Sequence, residues 1–112
     1  MNWMLVGSVS GFLAVAAGAF GAHGLKGVLA PDRLEIFETA VRYQMYHSLA
    51  LVLAGSLGAF RAGWAFLLGV VIFSGSLYLL VLTDRRWLGA VTPVGGALFL
   101  LGWVLLALNA RR

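Results

Sequence analysis

Hydrophobic residues run along this chain in long blocks separated by short charged segments. No Lys, Arg, Asp or Glu occurs in residues 1–25, 43–60, 62–83 or 87–110, and each block reaches the roughly 18–20 residues that a helix needs to cross about 30 Å of hydrocarbon. Strand-period alternation is absent and the blocks are too long for barrel strands, so the pattern predicts helices. Four spans are expected at about 3–23, 40–59, 64–83 and 91–110, forming one transmembrane domain over 1–112. The fold class is therefore expected to be all-α, an integral membrane four-helix bundle, with a short amphipathic interfacial helix at about 31–40 between the first two spans.

The second span carries the sharpest pattern. With successive residues about 100° apart, Ala50, Tyr43, Ala54, His47, Ala40, Gly58, Gln44, Gly55 and Ser48 fall on one side, and Leu51 is the one bulky residue among them. Val41, Val52, Met45, Leu49, Leu53, Tyr46 and Leu57 fall on the other. The small and polar side suits neighbouring helices and the bulky side suits lipid tails, because close backbone approach and interhelical hydrogen bonds drive association where water is absent. Gly7, Gly11, Ala14, Gly18 and Gly21 make a similar stripe on the first span, and Gly95, Gly102 and Asn109 a third on the fourth. Packing inside the monomer is the simpler use of the first stripe, and a dimer seam the other.

Local signals place the connections. Trp3 and Trp64 are expected as boundary anchors, and His23-Gly24 as the close of the first helix through a left-handed glycine. The segment AGAFGAH would suit signal-peptide cleavage, but no positive charge precedes it, so a retained span is expected. Residues 26–42 hold six of the twelve charges. Pro31 suits a first helical position and Asp32 the positive end of the dipole. That helix either continues into the second span or bends near Thr39. Residues 60–63 read as a tight turn. Ser74 and Ser76 can satisfy themselves by bonding one turn back, and Thr92 is expected to cap a helix whose first residue is Pro93.

Composition agrees with the pattern and limits the chemistry. Of 112 residues, 62% are hydrophobic and 11% charged, with a mean hydropathy of +0.96, more apolar than one soluble core could hide. Without cysteine, disulfides and thiol-ligated metal are excluded. The net charge of +4 sits at span ends, which points to headgroups rather than nucleic acid. With four spans, Lys26, Arg33, Arg42, Arg85 and Arg86 share one side of the membrane and Arg61, Arg111 and Arg112 the other. Five against three favours outward termini.

Both histidines fall near the side of the long connection. His23, Tyr43, Gln44, His47, Asp84 and Thr92 are the candidate polar or ligand cluster. Such a group can cap helix ends, line a polar path or small-ligand site, or ligate a metal or haem through paired imidazoles. The helix-packing set is Gly7, Gly11, Ala14, Gly18, Gly21, Ala50, Ala54, Gly55, Gly58, Gly95 and Gly102. No HExxH, Walker or Ser-His-Asp pattern is present, and all four carboxylates lie in or beside connections, so no catalytic residue, metal ligand or cofactor is expected.

The motifs Gly18-Ala19-Phe20-Gly21-Ala22-His23-Gly24-Leu25, Thr39-Ala40-Val41 with Tyr43-Gln44 and His47, Phe73-Ser74-Gly75-Ser76-Leu77-Tyr78, Thr92-Pro93-Val94-Gly95-Gly96 and Gly102-Trp103 stand in order along the chain. Together they resemble the YgdD/YwdK-like family of small bacterial membrane proteins, to which the eukaryotic transmembrane protein 256 homologues are similar. The resemblance implies a multi-span membrane protein of unknown function and supplies no catalytic residues. It also leads one to expect a glycine where Asp84 stands.

The expected role is that of a non-catalytic accessory, scaffold or partner-binding protein in a prokaryotic cytoplasmic membrane. Its expected partners are the lipid bilayer and a second copy or another membrane protein. The competing expectation is an oligomeric channel or transporter for a small solute, ion or lipid, using the polar face around His23, Tyr43, Gln44 and His47.

Overall fold

A computed structural model describes residues 1–110, so Arg111 and Arg112 of the charge tally lie outside the described residues. Four α-helices follow one another: α1 (Trp3–Gly24), α2 (Pro31–Leu57), α3 (Phe60–Thr83) and α4 (Thr92–Ala110), with a short 3-10 helix, Arg86–Ala90, leading into the last. Apart from an isolated bridge between Lys26 and Leu29, no strand pairing occurs among the described residues. The helices pack in chain order, α1 on α2, α2 on α3 and α3 on α4, in a slab of 49 × 26 × 19 Å. Three segments are long and apolar enough to cross a membrane: Trp3–Gly21, Phe60–Thr83 and Arg86–Ala110. α2 is not among them: Arg42, Gln44, His47 and Ser48 make it less apolar than the other three.

The helix ends follow local chemistry, at positions that partly differ from expectation. Asn2 caps α1 by accepting the Leu5 N–H. The left-handed glycine of the first connection is Gly27 (φ 85°), whereas Gly24 stays in the last turn of α1. Residues 31–40 are not a separate helix but the first turns of an unbroken α2. No glycine or further proline interrupts them, and their apolar side packs down, with Phe37 against Gly21 and Val41 against Gly18. Gly58 (φ 67°) ends α2 by donating to the carbonyls of Ala54 and Gly55. Its helix-packing assignment therefore fails, as a Cβ there would meet nothing within 4 Å. The reversal is complete by Ala59, so Phe60–Gly63 is helical and not a turn. Pro93 is the second residue of α4, where it leaves no intrahelical donor missing.

Trp3 is buried rather than a boundary anchor: only 3% exposed, it packs edge-on against Trp64 at 5.1 Å and covers Gly63. That contact belongs to a wider arrangement. The Phe99 ring lies over Gly69 and the Phe66 ring over Gly102, so α3 and α4 exchange aromatic rings into glycine hollows, and between them Gly95 meets the backbone of Phe73 directly. Between α1 and α2 the fit is backbone on backbone, with Gly7 facing Ser48, Leu51 and Val52, and Gly55 facing Met4. Ala14, Ala50 and Ala54 are buried between helices, and Leu51 and Phe66 are fully buried.

Asp84 ends α3 with φ 54°, the one left-handed non-glycine among the described residues. The glycine suggested by the family resemblance thus has a backbone reason. Asp84→Gly is expected to raise stability by up to about 1 kcal/mol through relief of that conformation. Asp84→Val should lower it. Thermal unfolding in detergent checks the sign of each, and a large loss in Asp84→Gly would show that the contact of Asp84 with Arg86 outweighs the backbone.

Candidate functional site

Polar side chains on α2 recur at positions 44, 47 and 48, which places them on its inward side at mid-helix. The Gln44 amide nitrogen donates to the Ser10 carbonyl at 3.0 Å and lies 3.4 Å from the Ser10 hydroxyl. Its amide oxygen accepts the Tyr78 hydroxyl at 2.6 Å. The Ser48 and Ser10 hydroxyls lie 2.7 Å apart, and Ser48 also donates to the Gln44 carbonyl at 2.6 Å. The single Ser48 proton is divided between these two acceptors. One glutamine thus joins α1, α2 and α3.

His47 makes a second tie, to α4. Its Nδ1–H donates to the Tyr43 carbonyl at 2.8 Å, and its Nε2 accepts the Trp103 indole N–H at 3.1 Å. The two partners select one neutral tautomer. The imidazole also stacks on Phe99, centroids 3.5 Å apart and rings 6° from parallel. Both nitrogens are occupied, so ligation of an iron or zinc would require the Trp103 bond to break. No group of three or more His, Cys, Asp or Glu that could hold a metal occurs among the described residues.

Further ties lie nearer the charged end. Ser74 donates across to the Ala40 carbonyl at 2.7 Å instead of back along its own helix, whereas Ser76 does bond back, to Phe73. The Ser76 and Thr92 hydroxyls are 2.6 Å apart, so Thr92 joins α4 to α3, and its further bond runs to the Leu88 carbonyl at 3.4 Å. Arg33 donates to the Val81 carbonyl at 2.7 Å, at an end of α3 that lacks intrahelical donors. Arg86 bridges Asp32 at 2.9 Å and Asp84 at 3.1 Å. Its hydrogen bond holds the Asp32 carboxyl below its ordinary value, against a small opposing effect of burial, and Asp32 in turn raises the Arg86 guanidinium.

The six residues of the candidate cluster do not form one site. Gly11 faces Ser48, Gly18 faces Val41 and Gly21 faces Phe37, so in this antiparallel register His23 stands level with about residue 36. His47 is some eleven residues further on, about 17 Å along the axis. His23 is exposed in the last turn of α1. Tyr43 is 38% exposed, at the rim of the contact with α3, where it packs on Phe73 at 4.7 Å. Asp84 belongs to the α3 cap, and only Gln44, His47 and Thr92 are buried. Sequence reasoning named Tyr78 and Trp103 only within the family motifs and gave neither them nor Ser10 a place in the site. Ser10 follows Gly7 by three positions on the small stripe, and Tyr78 follows Ser74 by four on one face of α3, both signals open to a reading of helical spacing.

Comparison with known proteins places this architecture. The family described as "Protein of unknown function (DUF423)" matches residues 17–96. The UPF0382 membrane protein SH2409 of Staphylococcus haemolyticus is 47% identical over 96% of this chain and 93% of its own length. The UPF0382 membrane protein SAB0533 of Staphylococcus aureus is 46% identical over 93% and 90%. YwdK of Bacillus subtilis, also a UPF0382 membrane protein, is 40% identical over 96% and 94%. No solved structure matches. With the family's match covering most of the chain and these relatives aligned almost end to end, the chain belongs to the DUF423 family, the UPF0382 membrane proteins.

Proposed function

We propose that all four helices cross a prokaryotic cytoplasmic membrane as one bundle, and that the protein acts without catalysis, as an accessory or scaffold that binds another membrane protein or a second copy. For α2 the support is its division of surfaces. Gln44, His47 and Ser48 are buried, and the exposed side offers Tyr46, Leu49, Leu53 and Leu57 to lipid. At 1.5 Å per residue its 27 residues extend about 40 Å, beyond the roughly 30 Å of hydrocarbon. The first turns, with Asp32, Arg33, Glu35 and Glu38, then stand in the interface. The five cations on that side against three on the other support outward termini.

One observation carries the functional reading: Gln44, His47 and Ser48 all have their side chains engaged in hydrogen bonds, and their partners include side chains of α1, α3 and α4. A solute path around His23, Tyr43, Gln44 and His47 would have to break these bonds. Function then falls to the outer surface, where Leu5, Val9, Phe12 and Phe20 of α1 and Leu100, Val104 and Leu108 of α4 are exposed. Purification in mild detergent is expected to bring down a stoichiometric companion or a homo-oligomer, and a lone monomer would overturn the proposal. The chain has no cysteine, so Val28→Cys, at an exposed position of the first connection, gives a clean topology probe. It should be labelled only from the cytoplasmic side.

A further inference from the structure

We propose that a groove between α1 and α3, floored by α2, holds one acyl chain of an anionic phospholipid whose headgroup rests on Lys26 and Arg33. α1 and α3 both pack on α2 and, beyond the contact of Trp3 with Gly63 and Trp64, part from each other, which leaves a cavity of about 370 Å³, within the range of small-molecule sites. Leu13 and Ala17 form one wall, Leu82 the other, and Phe37 part of the floor. Leu13 and Leu25, both in the lining, are twelve residues apart, so the groove extends about 18 Å along the helices. That elongated shape suits a chain better than a compact ring.

The floor has polar atoms but offers no donor. The Tyr78 hydroxyl donates to Gln44, and the Gln44 amide is directed at both oxygens of Ser10. A carbonyl or phosphate buried beside them would go unsatisfied, whereas hydrocarbon loses nothing. The cations stand at the end where the first connection meets the end of α3. Lys26 is exposed and follows the lining residue Leu25, and Arg33 bonds to the carbonyl of the lining residue Val81. The Nε of Arg33 is buried without a partner. The ion pairs nearby engage Asp32 and Asp84 with Arg86, and none among the described residues engages Lys26 or Arg33. Apolar length ending at two positive charges is the complement of an anionic lipid.

This rests on α1, α2 and α3 lying in the bilayer, which the Val28→Cys labelling tests independently of any lipid. The full chain is reconstituted in vesicles of phosphatidylglycerol and phosphatidylcholine, re-extracted in detergent and weighed by native mass spectrometry. One phosphatidylglycerol per chain is expected to remain on the wild type and to be lost from Ala17→Phe, which fills the groove. Ala19→Phe, on the exposed side of α1, should retain it. Lys26→Gln alters only an exposed loop residue, so its fold is not at issue, and it should lower the preference for phosphatidylglycerol about fivefold, the effect of one surface cation. A lipid-free wild type, equal retention by Ala17→Phe, or an unchanged preference in Lys26→Gln would each overturn the proposal.

Discussion

Gly7→Ala is expected to destabilise the bundle by about 1–3 kcal/mol, the range for overpacking a well-filled interface. An added Cβ would sit 2.7 Å from the Ser48 carbonyl oxygen, 2.8 Å from the Val52 nitrogen and 2.9 Å from the Leu51 Cβ. Two of these atoms are backbone and the third is the first atom of a side chain, so no rotamer change makes room. α1 has to move off α2, and the bond between Gln44 and Ser10 stretches with it. Gly75→Ala is the matching control. Gly75 lies inside α3 with nothing within 4 Å of its added Cβ, so alanine should be neutral or stabilising by up to about 1 kcal/mol through helix propensity. Reversible unfolding in mixed detergent micelles measures both. Equal effects of the two substitutions would show that the α1–α2 contact is looser than the geometry here.

Gln44→Leu is expected to cost about 1–3 kcal/mol, because it leaves the Tyr78 hydroxyl inside the bundle without its partner and removes the second bond of the Ser10 carbonyl, which keeps its helical one. Each interhelical hydrogen bond between membrane helices contributes on average about 0.6 kcal/mol and at most about 1.7, so most of the loss comes from the abandoned hydroxyl. Tyr78→Phe in the Gln44→Leu background should therefore cost less than Tyr78→Phe alone. Additive losses in that double-mutant cycle would mean that Tyr78 and Gln44 do not share a bond in the membrane.

Helix identity was open to sequence reasoning because, in hydrocarbon, every backbone group must be satisfied within its own segment. Length without charge is then enough to mark α1, α3 and α4. The inward side of α2 was legible for the same reason, since polar side chains avoid lipid and collect opposite Leu49 and Leu53. Helix ends were harder. Gly24 and Gly27 are both glycines near one terminus, and which of them turns left-handed depends on how the connection reaches Pro31. Residues 60–63 read as a turn because Gly63 and Arg61 are poor markers of a helix interior, yet Gly63 is there to receive Trp3.

The chain by itself determined that this is an all-helical membrane protein and that Gln44, His47 and Ser48 lie on the inward side of α2. Each depends on local backbone chemistry or on one helix's own periodicity, which a linear string carries completely. Only the tertiary structure decided the partners: Ser10 and Tyr78 for Gln44, Trp103 for His47, Phe rings for Gly69 and Gly102, and some 17 Å between His23 and His47. Those depend on the relative register of separate helices. A slip of one turn moves every such contact by about 5.4 Å while leaving each helix's own pattern unchanged.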